Sequence, residues 1–234
     1  MSLADPHCHT LESDGMVTPT ELVDAAVKAG LDLIAITDHD TMAAAREVQE
    51  RGEAAGLAVV KGQEVTTAWP AQTHILGWFL ERPIKRSMSI ADTAAAIRDQ
   101  GGLVIIPHPF MPTYFASIQP DALQRLIDIQ PVDGIEVLST VPMGARRRKL
   151  LDAFVDAYSD RLGAAIGGSD CHFGRHDIAQ VVTAYEGDFR TAVTERKTRA
   201  MRGPGKHSVP IEMALRQQWR SLVDLPVKRL RGKA

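Results

Sequence analysis

Imidazoles and carboxylates recur along this 234-residue chain at spacings that suit metal binding. His7 and His9 are two residues apart, as are Asp170 and His172, and in an extended strand such pairs point to the same side. The residue between each pair is a cysteine, Cys8 or Cys171, expected to point away and pack as a small hydrophobe. Thr37-Asp38-His39-Asp40, Glu64, His74 and Pro107-His108-Pro109 extend the set, which uses six of the eight histidines. Independent core histidines would not cluster in this way. Mixed nitrogen and oxygen donors suit zinc, manganese or iron, and a carboxylate such as Glu64 can bridge two ions. Asp38 and Asp40 are expected to orient imidazoles from behind or to cap a helix.

Such residues must be brought together by the elements that carry them, and the chain alternates short apolar runs with helical patterns, as an α/β protein with a mostly parallel sheet does. Strands are expected from Leu3 through His9, at Leu33–Ile36, from Leu57, at Ile75–Trp78, Leu103–Ile106, Gly134–Leu138, Ala164–Ile166 and Val181–Ala184. Thr18-Pro19-Thr20-Glu21 reads as a helix start with a capping box and an early proline. Further helices are expected over Thr41–Ala55, after Ser89, over Pro120–Ile127 and Arg146–Tyr158, and after Asp188. Between the third and fourth strands there is no room for a long helix. Seven or eight strands with intervening helices suggest a closed or nearly closed barrel, and barrel enzymes place their sites at the strand ends where these ligand types fall.

Composition narrows the class. The hydrophobic and charged fractions, 44% and 24%, are those of an ordinary globular protein, and the length suits one domain. A net charge of -2 argues against a protein that coats nucleic acid through its overall field. Two cysteines give no disulfide framework. With no basic leader followed by an apolar core, and no apolar run long enough for a bilayer, a soluble cytoplasmic protein without membrane contact is expected.

His7-Cys8-His9, Thr37-Asp38-His39-Asp40, Gly62-Gln63-Glu64, Pro107-His108-Pro109 and Ser169-Asp170-Cys171-His172 together resemble the polymerase and histidinol phosphatase (PHP) superfamily, in the family's order and over roughly residues 2–200. The resemblance implies a distorted (β/α)7 barrel holding two or three divalent ions. Carried over by motif, one ion would take His7, His9, Glu64 and Asp170. A second would share Glu64 and take His74 and His108, and a third would take Asp14, His39 and His172. Asp14, in Ser13-Asp14-Gly15, stands where histidinol-phosphatase-like members usually have histidine, which tilts the resemblance toward small phosphoesterases of nucleotides or RNA ends. The short stretch from His74 to His108 lacks the helical insertion of some such members, which leaves the substrate open.

The clustered ligands and the resemblance imply a phosphoesterase in which water activated by the ions attacks phosphorus, with no covalent intermediate. Glu64 and Asp170 are the residues on which turnover should depend, and His39 or His176 is a candidate to assist the leaving alkoxide. Arg146, Arg147, Arg148 and Arg175 are candidates to bind substrate phosphate, since guanidinium matches phosphate geometry. Three consecutive arginines also point in different directions, so most would be solvated. His207 is expected at the surface. Trp69, Phe110, Tyr114 and Phe115 either pack the barrel rim or stack on a base.

Residues 1–203 are expected to form the phosphoesterase domain and 204–234 a helical, basic tail. Within that tail, Ile211, Leu215, Trp219 and Leu222 have a helical spacing that predicts packing against the barrel. The expected partner is a phosphorylated small molecule or short oligonucleotide. The alternatives are a phosphatase of a metabolite such as histidinol phosphate, and a non-catalytic metal-binding module. Oligomeric state has no sequence signal.

Overall fold

A computed structural model describes residues 1–70, 72–112, 116–140 and 143–230. Seven apolar runs form β1 (Ser2–Cys8), β2 (Leu33–Ile36), β3 (Ala58–Thr66), β4 (His74–Trp78), β5 (Leu103–Ile106), β6 (Gly134–Ser139) and β7 (Ala164–Gly168). β8 (Val181–Tyr185) and β9 (Arg199–Arg202) follow, and the sheet order is β7-β6-β5-β4-β3-β2-β1-β8-β9. β9 answers to no sequence expectation, because its Arg-Ala-Met-Arg run lacks an apolar signature.

The β1–β2, β2–β3, β5–β6 and β6–β7 pairs are parallel. Three of the four connections contain α1 (Pro19–Lys28), α2 (Ala45–Ala55) and α4 (Pro120–Ile129), and the fourth contains α5 (Ala145–Ala157). The short β3–β4 link contains no helix, so β4 runs antiparallel to β3, and α3 (Ile90–Arg98) returns the chain to β5, also antiparallel to β4. The sheet then curls until β1 meets the segment beyond β7. There His9 N–H donates to the Cys171 carbonyl at 2.8 Å and Cys171 N–H to the His7 carbonyl at 2.9 Å. β8 pairs antiparallel with the other half of β1, at Ser2–Ala4. The expected distorted seven-stranded barrel is therefore present, with one strand reversed and an antiparallel β8–β9 pair beside its seam.

Helix starts follow local chemistry. Thr18 caps α1, its hydroxyl accepting from Glu21 N–H while Glu21 accepts from Thr18 N–H. Ser89 caps α3 by accepting from Asp92 N–H. α2 begins at Ala45, four residues later than the expected Thr41, without a side-chain cap. It ends as expected at Gly56, whose φ of 74° is in the left-handed region.

The two-residue period of the strands decides what faces the lumen. Leu33, Ala35, Val60, Leu76, Trp78, Leu103, Ile105, Ala164 and Ile166 share one buried cluster, joined by Phe189, Ala192 and Val193 of α6 (Phe189–Thr194). Ile34 and Ile36 face the opposite way, into a cluster with Leu22, Val23 and Ala26 of α1 and Val48 of α2. Both faces of β2 are thus buried, which is why it reads as a continuous apolar run. Along the lumen face the apolar residues of β3 and β4 give way to Glu64 and His74, and β6 presents Glu136 two residues after Gly134. Because β4 is reversed, its first residue, His74, lies at the rim where the parallel strands end.

The C-terminal segment comprises α7 (Ile211–Trp219), a π-helical turn (Arg220–Asp224) and α8 (Leu225–Leu230). Its apolar stripe does not pack on the barrel as expected. Ile211, Leu215, Trp219 and Leu222 are 62–79% exposed, and Gln217 is the buried residue of α7. Polar partners on the barrel outweigh the apolar face here, as described below. Among the described residues no helix is long and apolar enough to cross a membrane.

Candidate metal centre

The nine ligand candidates meet at one end of the barrel. His7 and His9 come from the end of β1, His39 follows β2, Glu64 lies in β3 and His74 opens β4. His108 follows β5, Asp170 and His172 follow β7, and Asp14 reaches in from the β1–α1 loop. That loop lies against the end of β1, and a Cβ on Gly15 would stand 2.6 Å from the His9 carbonyl carbon, so only glycine fits beside Asp14. His108 (φ 28°) and Asp170 (φ 53°) adopt left-handed backbone conformations uncommon for such residues, and strain of this kind concentrates at working sites.

Glu64 is the hub. Its Oε2 lies 3.0 Å from His7 Nε2, 3.2 Å from His9 Nε2 and 3.5 Å from His39 Nδ1. Its Oε1 lies 2.8 Å from His74 Nδ1 and 3.0 Å from His108 Nε2. Asp170 Oδ1 is 3.3 Å from His7 Nε2 and 3.2 Å from His9 Nε2. Asp14 Oδ1 faces His172 Nε2 at 3.2 Å and His39 Nε2 at 3.6 Å.

Three groups of donor atoms result, each within 4.8 Å: His7, His9, Glu64 and Asp170; His9, Asp14, His39 and His172; and His39, Glu64 and His74. Two ligands on opposite sides of one zinc, with bonds of about 2.0–2.2 Å, approach that separation. The first group is the one the resemblance implied, and the second gains His9. The third contains His39 where His108 was implied, although His108 shares Glu64 Oε1 with His74.

The donor set fits divalent cations. Both ring nitrogens of His9, Asp14 Oδ1 and His74 Nδ1 are buried and, although most lie close to other ligand candidates, make no well-aligned hydrogen bond. Buried polar atoms are seldom left this way unless something else satisfies them. Without cations the groups hold one another through charge. Burial alone would raise the Glu64 carboxyl, but the imidazoles of His39, His74 and His7 outweigh it and hold it well below the usual range. Burial likewise opposes ionisation of Asp170, and His7 and His172 reverse the effect. Burial disfavours a charged His172, yet Asp14 and Asp170 lift its pKa to about 10. For His39 burial prevails over Glu64 and Asp14, and the pKa falls to about 4.

Behind the ligands stands a layer that fixes their aim. Glu136 accepts from His7 Nδ1 at 2.9 Å and from the His108 backbone N–H at 2.7 Å, so one carboxylate braces two ligands. Close packing of β7 preserves this contact, since a Cβ on Gly168 would stand 2.7 Å from Glu136 Oε1. Sequence reading passed over Glu136, though a lone carboxylate inside an apolar strand was a usable signal. Asp177, also missed, accepts from His172 N–H at 2.7 Å and Phe173 N–H at 2.9 Å. Asp38 orients no imidazole. It accepts from Thr10 N–H and hydroxyl and from the Ser13 hydroxyl, pinning the loop that carries Asp14. Asp40 accepts from Thr66 N–H at 2.8 Å, and α2, the helix that follows it, starts without a side-chain cap. Cys8 and Cys171 are buried among apolar residues, as expected.

Other candidates lie elsewhere. Arg147 donates to the Phe110 and Met111 carbonyls, and Arg148 to the Val137 carbonyl, so both are committed to backbone near the base of α5. Arg146 is exposed. Arg175 and His176 line a separate hollow with Met16, Glu21 and Met213, and His176 Nδ1 contacts the Ser208 carbonyl at 3.1 Å. Neither lines the metal cavity. His207 is exposed. Phe110 is core, edge-on to Phe154, and Trp69 is exposed. Tyr114, Phe115 and the basic Arg231 and Lys233 lie outside the described residues.

The ligands floor a cavity of about 290 Å³, lined also by Met111, Ser117 and Ser221. It adjoins a wider hollow of about 670 Å³ that shares Asp14, His39 and His74 and reaches Thr66, Gln72 and Arg86. Arg86, from the loop before α3, is the arginine that sequence reading did not single out. Its Nε is 3.6 Å from Asp40 Oδ2, and its side chain is 37% exposed.

Residues 5–195 match the PHP domain. The chain belongs to the PHP family. An uncharacterized protein of Methanocaldococcus jannaschii is 33% identical over 147 residues, covering 58% of this chain and 81% of that protein. A 5'-3' exoribonuclease of Haemophilus influenzae is 31% identical over 102 residues, covering 43% of this chain and 37% of that enzyme. In fold, this PHP chain is similar to a two-domain protein of Bacteroides vulgatus described as containing a predicted PHP-like metal-dependent phosphoesterase. The TM-score is 0.71 at 23% identity, over 94% of this chain and 69% of the other. The match to the exoribonuclease thus leaves most of that enzyme's length without a counterpart.

Proposed function

We propose that this PHP protein hydrolyses phosphate esters with the help of two or three divalent cations, and that its substrate is a nucleotide or the end of a short RNA or oligonucleotide. The observation that carries the reading is the set of three overlapping donor groups, linked through Glu64, His9 and His39, on the floor of an open cavity. Manganese, zinc or iron bound there would supply Lewis acidity to the phosphate and to the attacking water.

The chain's own residues then have distinct tasks. Glu64 sets its two oxygens toward different histidines and so joins the groups. Asp170, the ligand carboxylate nearest solvent at 18% side-chain exposure, borders the space where an ester would enter. His39 serves as a ligand and not as a proton donor, because both its ring nitrogens face carboxylates. Arg86, in the adjoining hollow, takes the phosphate-binding role in place of the α5 arginines and Arg175, which line neither cavity. Residues 1–203 form the catalytic domain in this reading, and 204–234 an element that bears on its site. The protein works in the cytoplasm.

The nucleotide or RNA preference is supported by Asp14 at its position and by the likeness to an exoribonuclease. A small-metabolite phosphatase is the second reading, opposed by Asp14 and kept open by the short His74–His108 stretch. The test is a turnover screen of metal-loaded protein against mononucleotides, nucleoside bisphosphates, short RNAs and histidinol phosphate, with Asp170→Ala and Arg86→Ala alongside. Turnover should favour the nucleotides or RNAs and vanish with metal loss in Asp170→Ala. Arg86→Ala should raise KM by about 10-fold or more, the loss expected for a hydrogen bond to a charged group, with metal content unchanged. Exclusive turnover of histidinol phosphate would shift the assignment to the second reading, and no turnover at all would leave a binding module.

A further inference from the structure

The C-terminal segment lies beyond the residues that match the PHP domain, yet it reaches the metal centre. Asp14 is held from two sides. Its Oδ1 faces His172 and His39, while its Oδ2 accepts a hydrogen bond from Gln217 Nε2 at 3.1 Å. With one oxygen tied, the other keeps a fixed direction. Arg220 donates through Nε to the Ser13 carbonyl at 2.8 Å and through its guanidinium to the Leu11 carbonyl. The loop bearing Asp14 is therefore bound to the same segment twice, by side chain and by backbone.

The orientation of α7 bears on what this contact is for. A helix that served to cover the barrel would turn its apolar stripe inward. Here the carboxamide of Gln217 is buried instead, which is costly without partners; its oxygen accepts from Gln218 Nε2 at 3.1 Å, and its N–H donates to a candidate ligand. We propose that residues 211–224 are a working part of the metal centre. Gln217 and Arg220 are positioning residues that hold Asp14 for the cation of the His9, Asp14, His39 and His172 group. The inference rests on the reading that this group binds a cation.

The 234-residue chain, stripped of metal, is titrated with zinc and separately with manganese against a competing chelator. Wild type is compared with Asp14→Ala, Gln217→Ala, Arg220→Ala and the Gln217→Ala/Arg220→Ala double variant. Asp14→Ala should lose one equivalent. Gln217→Ala and Arg220→Ala should each weaken that same equivalent by about 10–100-fold, as loss of a residue behind a ligand does. The equivalent held by His7, His9, Glu64 and Asp170 should keep its wild-type affinity, a selectivity that general destabilisation would not produce. If an alanine variant does not fold, Gln217→Glu keeps the size, sets a second carboxylate against Asp14 and should weaken the same equivalent. Wild-type affinities in the double variant, or equal weakening of every equivalent, would overturn the proposal. If Asp14→Ala costs no cation, the underlying reading falls first and the proposal with it.

Discussion

Two carboxylates with similar burial do different work in this site, and the difference lies in what each can touch. Glu64 has all its near neighbours on imidazole nitrogens, whereas Glu136 divides itself between His7 Nδ1 and a backbone N–H. Glu136 thus fixes the tautomer and tilt of His7 from behind. Glu136→Gln keeps the shape but removes the charge that draws the Nδ1 proton. Metal affinity should fall by about 10–100-fold with the fold intact, read by chelator competition and circular dichroism; unchanged affinity would mean that packing alone orients His7. At this scale the ligands were legible because their types are rare and their spacing correlated. Glu136, Asp177 and Arg86 were not, because each stands alone in its stretch and gains meaning only from neighbours distant in sequence.

At the scale of elements, the reversal of β4 does two things at once. It brings His74 to the ligand rim, and it sends Trp78 down the lumen among Leu76, Leu103 and Ile105, fully buried. Trp78→Ala should therefore cost about 3–5 kcal/mol of stability, measured by urea unfolding of the metal-free chain. A loss below about 1 kcal/mol would show that the lumen repacks around the gap. β1 to β8 and α1, α3, α4 and α5 could be read from period and capping, since burial there agrees with hydropathy. α7 could be read as a helix but not oriented, since hydropathy points its stripe inward and the hydrogen bond from Gln217 to Asp14 turns it outward. Polar contacts between remote segments leave no periodic trace.

For the whole molecule, metal and proton compete for the same donors. His172 has a folded pKa of about 10, raised from 6.5 by Asp14 and Asp170 against the effect of burial. A raised value means that its contribution to the metal-free fold is complete below about pH 6.5 and is lost as pH climbs toward 10. The metal-free protein should accordingly melt at falling temperature from pH 7 to 10, while the loaded protein changes little over that range. Cation uptake at pH 8 should also release protons, seen as a dependence of binding heat on the buffer's ionisation enthalpy. A metal-free melting temperature that is flat with pH, or heats independent of buffer, would count against a protonated His172.

The barrel's seam closes through the backbone of two ligand candidates and of the cysteine between two others: His9 N–H to Cys171 carbonyl, and Cys171 N–H to His7 carbonyl. A cation gripped by His7, His9 and Asp170 is therefore a cross-link between the first strand and the end of the seventh, segments near opposite ends of the barrel's sequence. Bringing such distant segments together carries an entropic cost, and the cation would act as the clasp that keeps them closed. Opening of the seam at this point would then require release of that cation.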